Sequence, residues 1–221
     1  MNTSRPLLSN LLIITSSLTV IFGLPLFLAA GSLSFWNGWI FLAVFVICST
    51  IISAINPELT TKRATGAEKE IPQEIIKLLL TLCACAIPLV SGLDYRNNWS
   101  SVPTTVVAVF SLIMIGAFVL LSIVLKENRF ALRVVEIQKD QKIIDTGTYS
   151  VVRHPMYLAF TVIFSVSPLV LGSLYSLIPA ICIPFLLAFR IRKEEEVLRN
   201  GLVGYDHYIK KVRYRLIPFV W

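Results

Sequence analysis

Two short polar runs lie at the opposite ends of an apolar stretch near the C-terminus. Residues 153–155 (Arg-His-Pro) lead into the apolar block 157–171, and residues 194–196 (Glu-Glu-Glu) follow the block 174–190. Because only residues 172–173 (Gly-Ser) separate the blocks, we expect a helical hairpin whose two polar ends meet. Carboxylates suit an ammonium group, Arg and His suit a carboxylate, and tyrosines cover flat heterocycles. The spacing therefore predicts a site for a zwitterionic, partly aromatic ligand.

More polar side chains flank this meeting place. They are Gln141, Thr146, Gly147 and Tyr149 upstream, Arg190 and Arg192 on the second block, and Tyr205, Tyr208, Lys211, Arg213 and Arg215 downstream. Each has a structural alternative, since Arg153 and His154 could anchor to headgroups and the glutamates could form a solvated helix face. Their coincidence at the ends of one hairpin favours a binding site.

The elements that position these residues are apolar blocks. Of the 221 residues, 56% are apolar and 15% charged, with a mean hydropathy of +0.75, whereas a soluble domain carries roughly a quarter charged residues. A bilayer-spanning helix needs about 20 apolar residues. We therefore predict an all-α polytopic membrane protein with five to six transmembrane helices, the last two forming the hairpin. The blocks are 11–30, 36–55, 75–93, 103–125, 157–171 and 174–190.

The basic residues give a predicted orientation. All of the 20 Lys and Arg residues except Arg96 fall in the N-terminus, the 56–74 loop with the helix start after it, the 126–155 loop or the C-terminal tail. With six spans these regions share one face, so the positive-inside rule places both termini in the cytoplasm, in a cell (inner) membrane. The net charge of +7 then reflects topology and attraction to headgroups, and it does not indicate nucleic-acid binding.

The chain divides into two predicted regions. Residues 1–125 form a four-helix transmembrane region, and residues 126–221 form a cytoplasm-facing catalytic region with the hairpin and a C-terminal helix. The four cysteines all lie within apolar blocks without a C-x-x-C spacing, so we interpret them as packing residues and predict no metal site. The sequence has neither a βαβ pattern nor a G-x-G-x-x-G turn, which argues against a doubly wound α/β fold.

The polar motifs resemble those of a known family. Residues 153–158 (RHPMYL), preceded by 146–149 (TGTY), are similar to the core motif of the isoprenylcysteine carboxyl methyltransferase family. The similarity continues through residues 194–198, with the double Glu, and 204–218, with the Tyr pair and the Arg-Leu-Ile-Pro ending. It covers about 141–221, over a third of the chain, and the wider group includes phospholipid N-methyltransferases.

The resemblance implies S-adenosylmethionine as the methyl donor and a lipid-like or prenylated acceptor reached from the bilayer. The residues it assigns to the cofactor are Gln141, Gly147, Tyr149, His154, Tyr157, Leu158, Glu194, Glu195 and Tyr205. It assigns Arg153, with Lys211 or Arg213, to the acceptor as catalytic residues. Lys211 stands where the family usually has an arginine, and a lysine loses the bidentate fork. The family's usual Phe-Gly is also altered here, to residues 202–204 (Leu-Val-Gly).

Other functions remain open at this point. Membrane sterol reductases share an Arg-His-Pro-x-Tyr segment and use NADPH, but the double Glu favours methyl transfer. A transporter or scaffold would place polar residues near the middle of the bilayer, whereas here they collect at one surface. The acceptor could be an isoprenylcysteine carboxylate, a prenyl thioether or an aminophospholipid, and the oligomeric state is not readable from the sequence.

Overall fold

The structure is a computed structural model that describes residues 7–57, 71–128, 130 and 141–221. The helices are α1 (Leu7–Leu18), α2 (Leu24–Ala30), α3 (Trp36–Ile55), α4 (Ile71–Asn97), α5 (Thr104–Glu127), α6 (Pro155–Val170), α7 (Leu177–Gly201) and α8 (Tyr205–Lys211). A π-helical turn, Thr19–Gly23, joins α1 to α2, and Gly147–Ser150 form a 3₁₀ turn. All regular secondary structure within these described ranges is helical, which confirms the predicted all-α class.

Four helices are long and apolar enough to cross a membrane: Leu11–Ala30, Trp36–Ile55, Pro72–Asn97 and Thr104–Glu127. Their outer faces carry large apolar side chains, such as Leu28 and Leu112, that no other part of the described chain covers. Water would solvate such a surface at a high free-energy cost, whereas lipid tails match it. The protein is therefore an integral membrane protein.

The last two long helices differ from these four. α6 has 16 residues and is short for a full span, with Pro168 near its end. α7 has 25 residues, of which the first part is apolar and the part from Arg190 onward is charged. At 1.5 Å per residue it is about 37 Å long, so α7 continues past the apolar block into the charged residues that follow it. Whether the chain has five or six spans stays a prediction.

Close backbone packing holds the helices that position the site. α4 packs against α2, and a Cβ atom at Gly92 would collide with the backbone of Leu26 and Ala30. Small residues at such contacts let membrane helices approach closely. α6 lies against both α5 and α7, and its Ala159 and Ile163 are fully enclosed in the core.

A buried carboxylate joins the helices at the end of the bundle opposite Arg153. Asp94, near the end of α4, is 1% exposed and accepts hydrogen bonds from the Ser100 hydroxyl (2.6 Å), the Ser100 backbone N–H (2.8 Å) and the Ser173 hydroxyl (2.5 Å). Ser173 lies in the turn between α6 and α7, and Ser91 of α4 bonds Ser176 in the same turn at 2.9 Å. This cluster fixes where α7 begins.

Replacing Asp94 with alanine should destabilise the fold. Two hydroxyls and one backbone N–H would lose their acceptor in a buried site, which costs about 1–3 kcal/mol or more. Thermal unfolding of the detergent-solubilised protein measures the effect as a lower Tm. The matched control is Asp206→Ala, because the Asp206 side chain is 79% exposed and lies 3.9 Å from Arg199, where an ion pair contributes little. Equal Tm values for the two variants would contradict a stabilising role for Asp94.

Candidate active site

The start of α6 is joined to the C-terminal tail by backbone hydrogen bonds. The N–H groups of Arg153 and His154 donate to the carbonyls of Tyr214 and Arg215, both at 2.9 Å. The Arg153 guanidinium also donates to the carbonyls of Val212 (2.6 Å) and Arg213 (2.9 Å). The tail therefore folds back over the N-terminal end of α6 and encloses Arg153.

Glu195 of α7 is the centre of this arrangement. Its carboxylate accepts one hydrogen bond from Arg153 Nε at 2.7 Å and another from Arg215 Nε at 2.9 Å. His154 Nε2 lies 3.4 Å from the same carboxylate but finds no hydrogen-bond partner among the described residues. The two polar runs singled out in the sequence thus meet, as expected, with a buried carboxylate between two guanidinium groups.

The charges around Glu195 decide its ionisation. Burial of the carboxyl raises its pKa, but the contacts with His154, Arg153 and Arg215 outweigh that and bring the pKa to about 2 from an ordinary 4.5. Glu195 is therefore ionised under all physiological conditions, and the ion pairs that it makes are permanent features of the fold.

Glu194, one residue earlier, faces a different space. The Tyr157 hydroxyl donates to its carboxylate at 2.6 Å and accepts a hydrogen bond from Arg190 Nε at 3.0 Å. Arg190 in turn donates to the side-chain oxygen of Gln73 on α4 at 3.3 Å. This chain of contacts connects α4, α6 and α7, and it leaves the Glu194 carboxylate partly exposed.

The residues before α6 form a tight turn held by the end of α5. Glu127 accepts hydrogen bonds from the backbone N–H (2.9 Å) and hydroxyl (2.5 Å) of Thr148. Gly147 has a φ of +58°, and a Cβ atom there would collide with the Glu127 carboxylate. Asn128 donates to the Tyr149 hydroxyl at 2.8 Å. The turn therefore fixes Tyr149 against the end of α5.

A polar cleft with a cavity volume of about 90 Å³ opens between this turn, α6, α7 and α8. Six of the residues that the sequence assigned to a cofactor line it: Gln141, Tyr149, His154, Tyr157, Glu194 and Tyr205. Burial, together with the charges of Glu195 and Glu194, raises the pKa of Tyr205, so its phenol stays protonated and can donate a hydrogen bond.

Other predicted site residues lie elsewhere. Glu195 does not line the cleft but contacts Arg153, which does, Leu158 packs against the hydrophobic core, and Gly147 shapes the turn. Lys211 is exposed and donates to Asp145 at 2.6 Å, an interaction that lowers the pKa of that carboxyl. Arg213 has an exposed side chain. Of the three predicted catalytic residues, only Arg153 lines the cleft.

An apolar groove lies on the other side of Tyr157. It has a cavity volume of about 380 Å³ and lies between the first helix, α4, α6 and α7. Tyr157 and Met156 line both the groove and the cleft, so these two side chains form a shared wall. Two cations, Lys77 and Arg190, lie in the lining of the groove, and the rest of it is almost entirely apolar. The site thus combines a polar compartment and an apolar one that meet at Tyr157.

This pairing of compartments agrees with the comparison against known families. The model of the isoprenylcysteine carboxyl methyltransferase (ICMT) family matches residues 106–200. Over these residues the chain is similar to the ICMT family. No curated protein matches the sequence closely. The family implies a membrane methyltransferase that acts on an isoprenylcysteine-like substrate.

The ICMT match covers one of the two compartments more fully than the other. Residues 106–200 include α5, the 3₁₀ turn, α6 and nearly all of α7, which supply most of the cleft. The groove also uses Leu18, Ile21, Phe22 and the α4 residues, which lie before the match. The N-terminal wall of the groove therefore lies outside the matched range.

Sequence reasoning missed several residues that support the site. Gln73, Glu127 and Asn128 contact Arg190, Thr148 and Tyr149 but belong to no motif singled out above. Their positions carried a weak signal, because each is a polar residue at the end of a long apolar helix. Arg215 was noted only as part of the tail, and its bond to Glu195 depends on how the tail folds back.

Replacing Glu195 with glutamine should lower stability in a pH-dependent manner. Because folding lowers the pKa of Glu195 from 4.5 to about 2, its ionised form stabilises the fold above pH 4.5. That contribution is lost as the pH falls toward 2. The Tm difference between the wild type and Glu195→Gln should therefore be largest near neutral pH and narrow below pH 4.5. Asp206→Asn is the exposed control, and a Tm difference independent of pH would contradict the assignment.

Proposed function

We propose that the protein transfers the methyl group of S-adenosylmethionine to the carboxylate of a prenylated cysteine or a similar prenyl acid. The observation that carries this proposal is the shared wall: Tyr157 separates a polar cleft with a carboxylate from an apolar groove with two cations. The ICMT match supports the reaction class. A donor and an acceptor of opposite polarity can approach each other only where such compartments meet.

The cleft has the chemical groups that S-adenosylmethionine requires. The Glu194 carboxylate can accept hydrogen bonds from an ammonium group or from ribose hydroxyls. The rings of Tyr149 and Tyr205 offer flat surfaces for an adenine. His154 is 5% exposed and has a ring nitrogen without a hydrogen-bond partner in the described part of the chain. That nitrogen, Nε2, lies 3.4 Å from the Glu195 carboxylate, and the other ring nitrogen, Nδ1, lies 4.0 Å from the Glu194 carboxylate at the cleft.

The groove suits a lipid acceptor that carries an acid. Its apolar lining, with Phe160, Phe164 and Leu187, matches a hydrocarbon chain, and its cations Arg190 and Lys77 lie near the Tyr157 wall. Charge complementarity favours an anionic head at that end. An ammonium acceptor would meet two cations, which favours carboxylate methylation over phospholipid N-methylation.

The chemistry asks the protein for alignment rather than for proton transfer. S-adenosylmethionine supplies an electrophilic methyl group. A carboxylate is already ionised near neutral pH, so the acceptor needs no general base. The Tyr157 hydroxyl, fixed between Glu194 and Arg190, holds the wall where the two compartments meet. Holding reactants in line and excluding water supply most of the acceleration in such a displacement.

The sequence assigned the acceptor to Arg153, with Lys211 or Arg213. We propose that Arg190 orients the acceptor carboxylate, because it lines the groove and contacts Tyr157. Arg153 instead acts as a positioning residue, since its guanidinium bonds Glu195 and two tail carbonyls. Lys211 and Arg213 have exposed side chains and do not line the cleft.

We also propose that the protein resides in the cytoplasmic membrane with the Arg153 end of the bundle facing the cytoplasm. The distribution of basic residues supports this orientation, since Arg96 is the one cation assigned to the opposite face. The charged part of α7 and the C-terminal tail would then reach a cytoplasmic donor.

Replacing Glu194 with glutamine should weaken binding of S-adenosylhomocysteine roughly 10- to 100-fold, the loss expected for one hydrogen bond to a charged group. Calorimetric titration of the detergent-solubilised protein measures the affinity. Glu196→Gln is the matched control, because Glu196 is exposed and pairs with Lys193 outside the cleft. Equal affinities for the two variants would remove Glu194 from the donor site. Binding of NADPH without S-adenosylhomocysteine would favour the reductase.

Replacing Arg190 with glutamine should raise the KM for N-acetyl-S-farnesyl-cysteine about tenfold or more and change the donor affinity little. Arg192→Gln is the matched control, since Arg192 lies outside the groove lining on the same helix. An acceptor analogue with an amide in place of the carboxylate tests for direct contact. This analogue should inhibit the wild type weakly, and it should inhibit Arg190→Gln to the same weak extent. If Arg190→Gln weakens binding of the donor and of the acceptor to the same extent, the role of Arg190 is structural.

A further inference from the structure

We infer that the apolar groove accommodates only short prenyl chains and that Phe164 sets the longest acceptor chain the protein methylates. The inference rests on the proposed function and extends it to substrate selection. It depends on three features of the groove, which are its polarity, its depth and the aromatic residues that close its inner end.

The groove has a polar end and an apolar end. Lys77 near the start of α4, Tyr157 near the start of α6, and Arg190 in the middle of α7 mark the polar end. Because α7 runs opposite to α4 and α6, the apolar end lies toward Cys85, Phe164 and Ile183. An acceptor with its carboxylate beside Arg190 would therefore extend its chain toward Phe164.

The depth of the groove follows from the lining residues on each helix. On α4 the lining extends from Lys77 to Cys85, and on α6 it extends from Met156 to Phe164. At a rise of 1.5 Å per residue, each of these stretches is about 12 Å long. This depth is closer to the extended length of a geranyl or farnesyl chain than to that of a geranylgeranyl chain.

Aromatic rings close the inner end. Phe22 and Phe164 both line the groove, and both pack against Phe45 of α3, with ring centroids 4.6 Å and 6.2 Å away. Phe45 is itself held edge-on by Phe118 of α5 at 5.5 Å. A longer chain cannot pass this group of rings without displacing a side chain, because packed aromatic cores leave little free volume.

Phe164 is the member of this group that can be changed with the least disturbance. Phe22 lies in the π-helical turn, is 7% exposed and also contacts Phe41. Phe164 is only partly buried and has one aromatic neighbour among the described residues. A smaller residue at position 164 should therefore lengthen the apolar groove, and a larger residue should shorten it.

The experiment compares kcat/KM for N-acetyl-cysteines carrying geranyl, farnesyl and geranylgeranyl chains, using Phe164→Ala, Phe164→Trp and the wild type in detergent. Phe164→Ala should shift the geranylgeranyl-to-farnesyl ratio upward by roughly tenfold, and Phe164→Trp should shift the farnesyl-to-geranyl ratio downward by a similar factor. The matched control is Phe185→Ala on α7, since Phe185 is 65% exposed and lies outside the groove. Its ratios should equal those of the wild type.

The ratios separate this inference from the proposed function. The inference is overturned if the protein methylates all three acceptors and neither Phe164 variant changes the kcat/KM ratios. The proposed function would then remain intact. That result would mean that the chain leaves the groove sideways, past the half-exposed Ile21. If the wild type binds S-adenosylhomocysteine but methylates none of the prenylated acceptors, the proposed function itself is overturned. Opposite changes in chain-length preference in Phe164→Ala and Phe164→Trp would support both the inference and the proposed function.

Discussion

The buried carboxylate of Glu195 and its two arginines hold together the parts of the chain that form the site. Arg153 comes from the start of α6, Arg215 from the C-terminal tail, and Glu195 from α7. Without a partner a buried charge is strongly destabilising, so each of these segments requires the other two. The tail carbonyls that bond Arg153 add a second constraint. The position of Tyr157, one turn further along α6, follows from this arrangement.

The same contacts give two adjacent glutamates different roles. Glu195 points to the tail, where the surrounding cations hold its pKa near 2 and make it a permanent structural charge. Glu194 projects in a different direction from α7 and meets Tyr157 at the edge of the cleft. Successive residues on a helix project about 100° apart, so one short sequence motif serves both the fold and the site.

The two compartments are built from different parts of the chain. The cleft is built mostly by residues within the ICMT match, whereas the groove takes one wall from α4 and another from the π-helical turn before α2. A π-helical turn adds a residue to the helix and changes which side chains face a neighbour, and such turns are frequent at functional sites. The π-helical turn therefore helps to decide which side chains of the N-terminal helices line the groove.

The sequence alone determined the all-α membrane class, the four long helices and the meeting of the 153–155 and 194–196 runs. These depend on local hydropathy, helix length and a short connection, all of which can be read along the chain. Only the tertiary structure decided that Arg153 is enclosed by the tail, that Glu194 and Glu195 have different partners, and that Gln73 lies beside Arg190. Those facts depend on how distant segments pack around buried charges, and no local periodicity encodes them. The aromatic closure of the groove is of the same kind, because Phe22, Phe45 and Phe164 come from three separate helical segments.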